Sequence, residues 1–72
     1  MNEQAELIRF GEQFRNVREQ QGVSVAELAA RTDISERRIS SLEAGRLDPA
    51  YDVLIALADG MGVRASALIP KD

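Results

Sequence analysis

Apolar residues recur along this chain at intervals of three and four, the spacing that places side chains on one face of an α-helix. The first such stripe consists of Leu7, Phe10, Phe14 and Val17. It predicts a helix from about Gln4 to Gln21, and Gly22 suits the position just past the end of that helix. Sustained two-residue alternation is missing and β-branched residues are sparse, so no strand is predicted.

A capping motif marks the start of a second helix. In Ser24-Val25-Ala26-Glu27 the serine hydroxyl is placed to accept a hydrogen bond from the Glu27 amide, while the Glu27 side chain reaches back. Leu28 and Ala29 supply the inner face, and the pattern breaks at Asp33. Because aspartate tolerates the left-handed conformation of a tight turn, a third helix is expected to follow at once.

Ser35 is placed to cap this third helix. Ile39 and Leu42 form its buried stripe, and Gly45 marks its end. A loop follows at Leu47-Asp48-Pro49, and then a fourth apolar stripe predicts another helix, ended by Gly62. That stripe consists of Tyr51, Leu54, Ile55, Ala58 and Met61.

A short fifth helix is predicted to carry Ala65, Leu68 and Ile69 before Pro70. Five short helices with connections of a few residues predict a compact all-α domain, and residues 1–72 are enough for one domain. The expected core consists of Phe10, Phe14, Val17, Val23, Leu28, Ile34, Ile39, Leu42, Leu54, Leu57, Ala58, Met61, Val63 and Leu68.

The composition narrows the possible chemistry. The chain contains no cysteine, no histidine and a single lysine, which removes thiolate nucleophiles, the commonest general base and most zinc ligands. We therefore expect no enzyme, no cofactor, no metal site and no small-molecule ligand. No apolar run reaches about 18 residues and no export signal is recognised, so the expected location is the cytoplasm rather than a membrane.

The net charge of −3 argues at first against nucleic acid, but its distribution is uneven. Residues 1–30 and 47–72 each carry a net charge of −2, whereas residues 31–46 carry +1. Positive charge is thus gathered in the segment that includes the predicted third helix. A chance clustering of arginines gives the same pattern, so charge alone does not decide the function.

The order of residues from Phe10 to Leu68 resembles the helix-turn-helix domain of the phage repressor/Cro type, also called the Xre family. The resemblance rests on Ser24-x-x-Glu27-Leu28-Ala29 followed by Ile34-Ser35-x-x-x-Ile39-Ser40-x-Leu42-Glu43-x-Gly45. It implies a lambda-repressor-like fold with a helix-turn-helix unit at about 24–45, and a third helix that enters the major groove of DNA.

On this third helix, the side opposite Ile39 and Leu42 is expected to face DNA. Arg37 is the first candidate for a bidentate contact with guanine, and Arg38 for a contact with the backbone or a neighbouring base. Glu36 is placed to accept from a cytosine amino group. The remaining candidates are Ser35 at the helix N-terminus, where free amides suit phosphate, and the small Ser41 one turn after Arg37. The alternative for both arginines is a solvated helix face.

The resemblance further implies that Arg46, in the loop after the third helix, contacts phosphate, although a solvated loop charge fits equally. It also implies a structural ion pair between Arg18 and Glu43, with a DNA contact by Arg18 as the alternative. Two positions depart from the family: Val25 replaces a glutamine that often touches phosphate, and Ala44 replaces a frequently polar residue.

These features predict a repressor-like transcription regulator that binds double-stranded operator DNA as a homodimer. Leu47, Tyr51 and Ile69 are the candidate dimer contacts, with packing at the core edge as the alternative. A second hypothesis is a protein-interaction module, such as an antitoxin or adaptor that keeps the fold. The acidic balance, Val25 and Ala44 favour this second hypothesis, whereas the arginines favour DNA.

Overall fold

The computed structural model describes residues 3–71, which form four α-helices and a final 3₁₀ turn, without a strand among them. The helices are α1 (Glu3–Gln20), α2 (Val25–Thr32), α3 (Glu36–Glu43) and α4 (Tyr51–Met61), and the final turn spans Ala65–Leu68. The all-α class is confirmed, but the fifth element is a 3₁₀ turn. Pro70 disfavours the helical conformation at Ile69, so the element ends at Leu68. The four residues that remain are a length typical of a 3₁₀ turn.

Side-chain and backbone caps define both ends of α2 and the start of α3. The amide of Glu27 donates to Ser24 Oγ, and the Ser24 amide donates to Glu27 Oε1, both at 3.0 Å. The hydrogen bond from the Ser24 amide to the Glu27 carboxylate, followed by a contribution from the Ser24 side chain, lowers the pKa of Glu27. Asp33 has a φ of 62° and ends α2 in the left-handed conformation. Ser35 Oγ then accepts from the Arg38 amide at 3.1 Å, so only three residues separate α2 from α3.

The core lies where α1 packs against α3 and the final turn, and where α2 packs against α3 and α4. Its most deeply buried large side chains are Phe14, Leu28, Ile39, Leu42, Leu57 and Leu68. Twelve of the fourteen expected core residues are buried, and Leu54 and Val63 are half-buried and pack against them.

The expected buried face of α4 was wrong in part. The residues that α4 buries are Val53, Leu57, Ala58 and Met61, whereas Tyr51 is 77% exposed and Leu54 and Ile55 are half-buried. Apolar residues lie on most sides of this helix, so their spacing does not fix which side is buried. The predicted and the observed buried faces differ by a rotation of less than about a quarter turn about the helix axis. Packing against α2 and the final turn selects the face centred on Leu57.

Within residues 3–71 no helix is both long and apolar enough to cross a membrane. The same residues contain no cluster of acidic side chains placed to hold a metal ion.

Candidate nucleic-acid interface

The third helix has one face in the core and the other in solvent. Ile39 and Leu42 are 0% and 1% exposed, so they fix the rotation of α3 about its axis. Glu36, Arg37 and Arg38, which form its first turn, are all exposed. The helix-turn-helix geometry therefore presents two guanidinium groups and one carboxylate together at the N-terminal end of α3.

The other sequence-predicted residues of this segment lie at the two ends and the flank of α3. Ser35 is exposed, and its hydroxyl oxygen is engaged as the helix cap. Ser41 is half-buried, so it contributes less to the outward face than the exposed Ser40, which was not among the candidates. Arg46 is exposed beyond the C-terminal end, and its amide donates to the Ser41 carbonyl at 3.0 Å.

Gly45 makes the position of Arg46 possible. Its φ of 74° lies in the left-handed region, which glycine adopts without strain. A side chain at this position would also meet Ile8, because a Cβ would lie 2.8 Å from the Ile8 Cα. The chain therefore turns sharply at Gly45, directly after α3, and Arg46 follows this turn as an exposed residue.

Most arginines outside this segment are engaged within the protein. Arg9 donates to the Lys71 carbonyl, Arg15 pairs with Glu19, and Arg31 donates to the Gly60 carbonyl. Arg18 is held by Glu43. Within residues 3–71 the guanidinium groups without a hydrogen bond or ion pair are those of Arg37, Arg38, Arg46 and Arg64.

Three of these four unengaged groups thus lie in residues 35–46, which we call the α3 surface. Glu43 belongs to the same stretch of sequence, but its carboxylate is turned inward to Arg18. The exposed charges of the α3 surface are therefore three guanidinium groups and the Glu36 carboxylate, a net charge of +2. This is a local excess of positive charge on a chain whose total is −3.

The structure brings Arg18 and Glu43 together as a bidentate ion pair. Arg18 Nε lies 2.5 Å from Glu43 Oε2, and Arg18 Nη2 lies 3.1 Å from Glu43 Oε1. A third bond runs from Nη1 to the Val23 carbonyl at 2.9 Å, and the two side chains are only 12% and 11% exposed. The hydrogen bond to Glu43 raises the pKa of Arg18. This pair ties the end of α1 to the end of α3, and it leaves Arg18 little room to contact DNA.

A second contact between α1 and α3 was not predicted. Gly11 is buried, and a Cβ built on it would lie 2.4 Å from the Glu43 carbonyl oxygen and 2.6 Å from that of Leu42. Only a residue without a side chain permits this approach. The sequence does carry a hint, because a glycine within a helical pattern costs about 1 kcal/mol relative to alanine and calls for a packing reason.

The two positions that depart from the family pattern differ in their surroundings. Val25 is half-buried and packs against the core at the start of α2. Ala44 is exposed at the end of α3. Neither supplies a hydrogen-bond donor from its side chain, so the polar groups offered by this side of the molecule are mainly those of the α3 surface.

Comparison with known proteins gives matches in both sequence and structure. Residues 9–68 match the family described as a helix-turn-helix domain. A curated protein of Sinorhizobium fredii, the HTH-type transcriptional regulator y4dJ, is 36% identical over 63 residues, which cover 86% of this chain and 82% of that protein.

Two solved structures have a similar backbone. The restriction-modification controller protein C.AhdI from Aeromonas hydrophila is 23% identical with a TM-score of 0.86, over 90% of this chain and 98% of that one. The clp gene regulator ClgR from C. glutamicum is 26% identical with a TM-score of 0.81, over 86% and 80% of the two chains. At such identity C.AhdI is informative about the fold alone.

Proposed function

This chain belongs to the helix-turn-helix family of the phage repressor/Cro (Xre) type, and we propose that it is a transcriptional regulator that binds operator DNA as a homodimer with α3 in the major groove. The observation that carries this proposal is the unengaged, net positive α3 surface. Its guanidinium groups are free of internal partners, whereas four of the five other arginines are held by carbonyls or carboxylates.

The first turn of α3 reads bases in this proposal. Arg37 donates two parallel hydrogen bonds to the O6 and N7 atoms of a guanine, and Glu36 accepts from a cytosine amino group. Arg38 contacts a neighbouring base or phosphate. The half-buried Ser41 has a small side chain, so it does not hold the helix away from the floor of the groove.

Phosphate contacts hold α3 in register at its two ends. Arg46 binds the DNA backbone beyond the C-terminal end of the helix, and the helix N-terminus at Ser35 supports a second phosphate through its amides and dipole. Since α3 has eight residues, these contacts lie roughly 12 Å or more apart. Few such contacts are available, so a shallow dependence of affinity on salt follows.

Dimerisation is part of the proposal because one small module offers little contact area with DNA. Leu47, Tyr51 and Ile69 are 41%, 77% and 49% exposed, so their apolar surface is available for a contact with a second copy. Two copies related by a two-fold axis place their α3 helices in successive major grooves, with half-sites about 34–36 Å apart. A regulator of this kind acts on DNA in the cytoplasm and needs no catalytic centre.

A protein-interaction module is the second candidate, and the acidic remainder of the chain favours it. Outside residues 31–46 the chain carries a net charge of −4, which suits a basic partner protein better than DNA. Under this alternative the family fold persists as an antitoxin or adaptor, and the α3 surface is not used for reading bases.

Selection of binding sites from random DNA duplexes distinguishes the two candidates. We expect the wild-type protein to enrich a two-fold symmetric site, and Arg37→Ala to lose preference at one base pair in each half-site. The matched control is Arg64→Ala, which removes an equally unengaged and exposed guanidinium from outside the α3 surface. No enriched site with the wild-type protein would favour the interaction module, and equal effects of the two variants would mean that Arg37 does not read a base.

A further inference from the structure

Helix α1 contacts the C-terminal end of α3 at two points that lie two turns apart. Gly11 and Arg18 are seven residues apart, so they share one face of α1. Arg18 holds the side chain of Glu43, while Gly11 lies against the backbone of Leu42 and Glu43. The contact of Arg18 with Glu43 is an attraction between opposite charges. The contact at Gly11 limits how closely the two helices can approach each other.

We infer that Gly11 is a positioning residue for DNA reading: the absence of its side chain fixes how closely α3 packs on the domain, and hence where Arg37 meets the bases. This inference rests on the proposed function. Gly11 itself is buried and has no side chain, so it does not contact DNA. Its effect is transmitted through the last turn of the helix that carries the base-reading residues.

The size of the effect follows from the atoms that a Cβ would meet. These are backbone atoms of α3, at 2.4, 2.6 and 2.8 Å, and they do not rotate aside as the end of a flexible side chain does. Ordinary contact requires a separation of 3.4 Å or more. An alanine at position 11 therefore displaces the end of α3 by about 1 Å, which exceeds the tolerance of about 0.5 Å for a functional constellation of side chains.

Gly60 provides the matched control. It also lies within a helix, and a Cβ there would meet Thr32 Cγ2 at 2.7 Å and Leu28 Cδ1 at 2.8 Å. The two glycines thus resemble each other in helical setting and in crowding. The atoms near Gly60, however, are side-chain atoms of α2, so an alanine there strains the contact between α2 and α4 and leaves the contact between α1 and α3 alone.

The experiment compares Gly11→Ala and Gly60→Ala with the wild-type protein on its selected site and on an unrelated duplex. Thermal unfolding is recorded first, and binding is then measured at a temperature where all three proteins are folded. We expect Gly11→Ala to lower the ratio of specific to unspecific affinity by roughly tenfold or more, since one bidentate base contact is worth about that much. Gly60→Ala should leave this ratio unchanged, even where it lowers the melting temperature as much.

The other possible results decide between the positioning role of Gly11 and the proposed function. An unchanged ratio for Gly11→Ala, or an equal loss for both variants, refutes the positioning role while leaving the proposed function intact. A wild-type protein that selects no site refutes both proposals. If Gly11→Ala is unfolded, the series is repeated with an osmolyte that favours the folded state; a variant that still does not fold shows that α3 cannot shift, and Gly11 is then required for folding rather than for placement.

Discussion

Removing one partner of the Arg18–Glu43 pair should destabilise the domain far more than removing both. The Arg18 side chain is 12% exposed in the wild-type protein, and in Glu43→Ala its guanidinium loses both bonds to Glu43 and keeps the bond to the Val23 carbonyl. Two unit charges about 4 Å apart attract by about 4 kcal/mol at an effective dielectric constant of about 20. Breaking a fully buried pair typically costs about 3–5 kcal/mol, because one charge is left uncompensated, and this pair is partly buried, so the lower end of that range applies. We take about 3 kcal/mol as the expected loss.

That loss is large for a chain of 72 residues. Domains of this size have free energies of unfolding of roughly 4–11 kcal/mol, and 1 kcal/mol shifts the melting temperature by about 4–8 °C. Urea and thermal unfolding followed by circular dichroism should therefore show a melting temperature lowered by roughly 12 °C or more. The hydrogen bond to Glu43 raises the pKa of Arg18, so this guanidinium stays protonated through the neutral range and contributes no pH dependence there.

The double variant Arg18→Met/Glu43→Leu and its two single variants, Arg18→Met and Glu43→Leu, form a thermodynamic cycle. Because apolar side chains of similar volume replace the whole pair, the double variant should be more stable than Glu43→Ala alone. The control is Arg15→Ala, which breaks a surface pair whose side chains are 63% and 55% exposed and should cost less than about 0.5 kcal/mol. A loss below 1 kcal/mol in Glu43→Ala, or strictly additive effects in the cycle, would refute this reasoning.

Four further predictions follow from single features. Arg46→Ala should weaken binding to all duplexes alike and lower the salt slope by about one in a titration by fluorescence anisotropy; a loss limited to one base pair contradicts the phosphate role. Ile39→Asp should abolish cooperative unfolding, because it buries an unpaired carboxylate; a folded variant means that α3 is rotated. Under the proposed homodimer, Tyr51→Glu should lower the sedimentation coefficient relative to the wild-type protein at equal concentration, and an equal coefficient places the contact elsewhere. Glu27 has a lowered pKa, so its contribution to stability is present above pH 4.5 and is lost as the pH falls through the pKa of the folded protein. Glu27→Gln should therefore reduce the loss of stability at acid pH. Equal dependence of stability on pH in the variant and the wild-type protein excludes the cap as a source of acid sensitivity.

The parts of the fold that local spacing controls were predictable from the sequence. The caps at Ser24 and Ser35 and the turn at Asp33 depend on residues within a few positions of each other, and all three occur as expected. The Arg18–Glu43 contact spans 25 residues and came from the family resemblance rather than from spacing.

The parts that depend on how helices meet were less accessible. The face of α4 was chosen by packing against other helices, which placed Tyr51 outside and Val53 inside. The close approach at Gly11 requires the distance between two helices, and no local pattern contains that distance. Ser41 was expected on the outward side of α3, and its half-buried position was likewise not evident from helical spacing.

The short junction from Asp33 to Ser35 and the double contact with α1 hold α3 at both ends, without a hinge in between. Under the proposed function, α3 is therefore already ordered before it meets DNA, and the entropy of ordering it is lost during folding rather than during binding. Binding of this kind requires the DNA to fit a helix whose position in the protein is already fixed. Under the proposed function, we therefore expect occupancy of the operator to follow the number of copies of the protein.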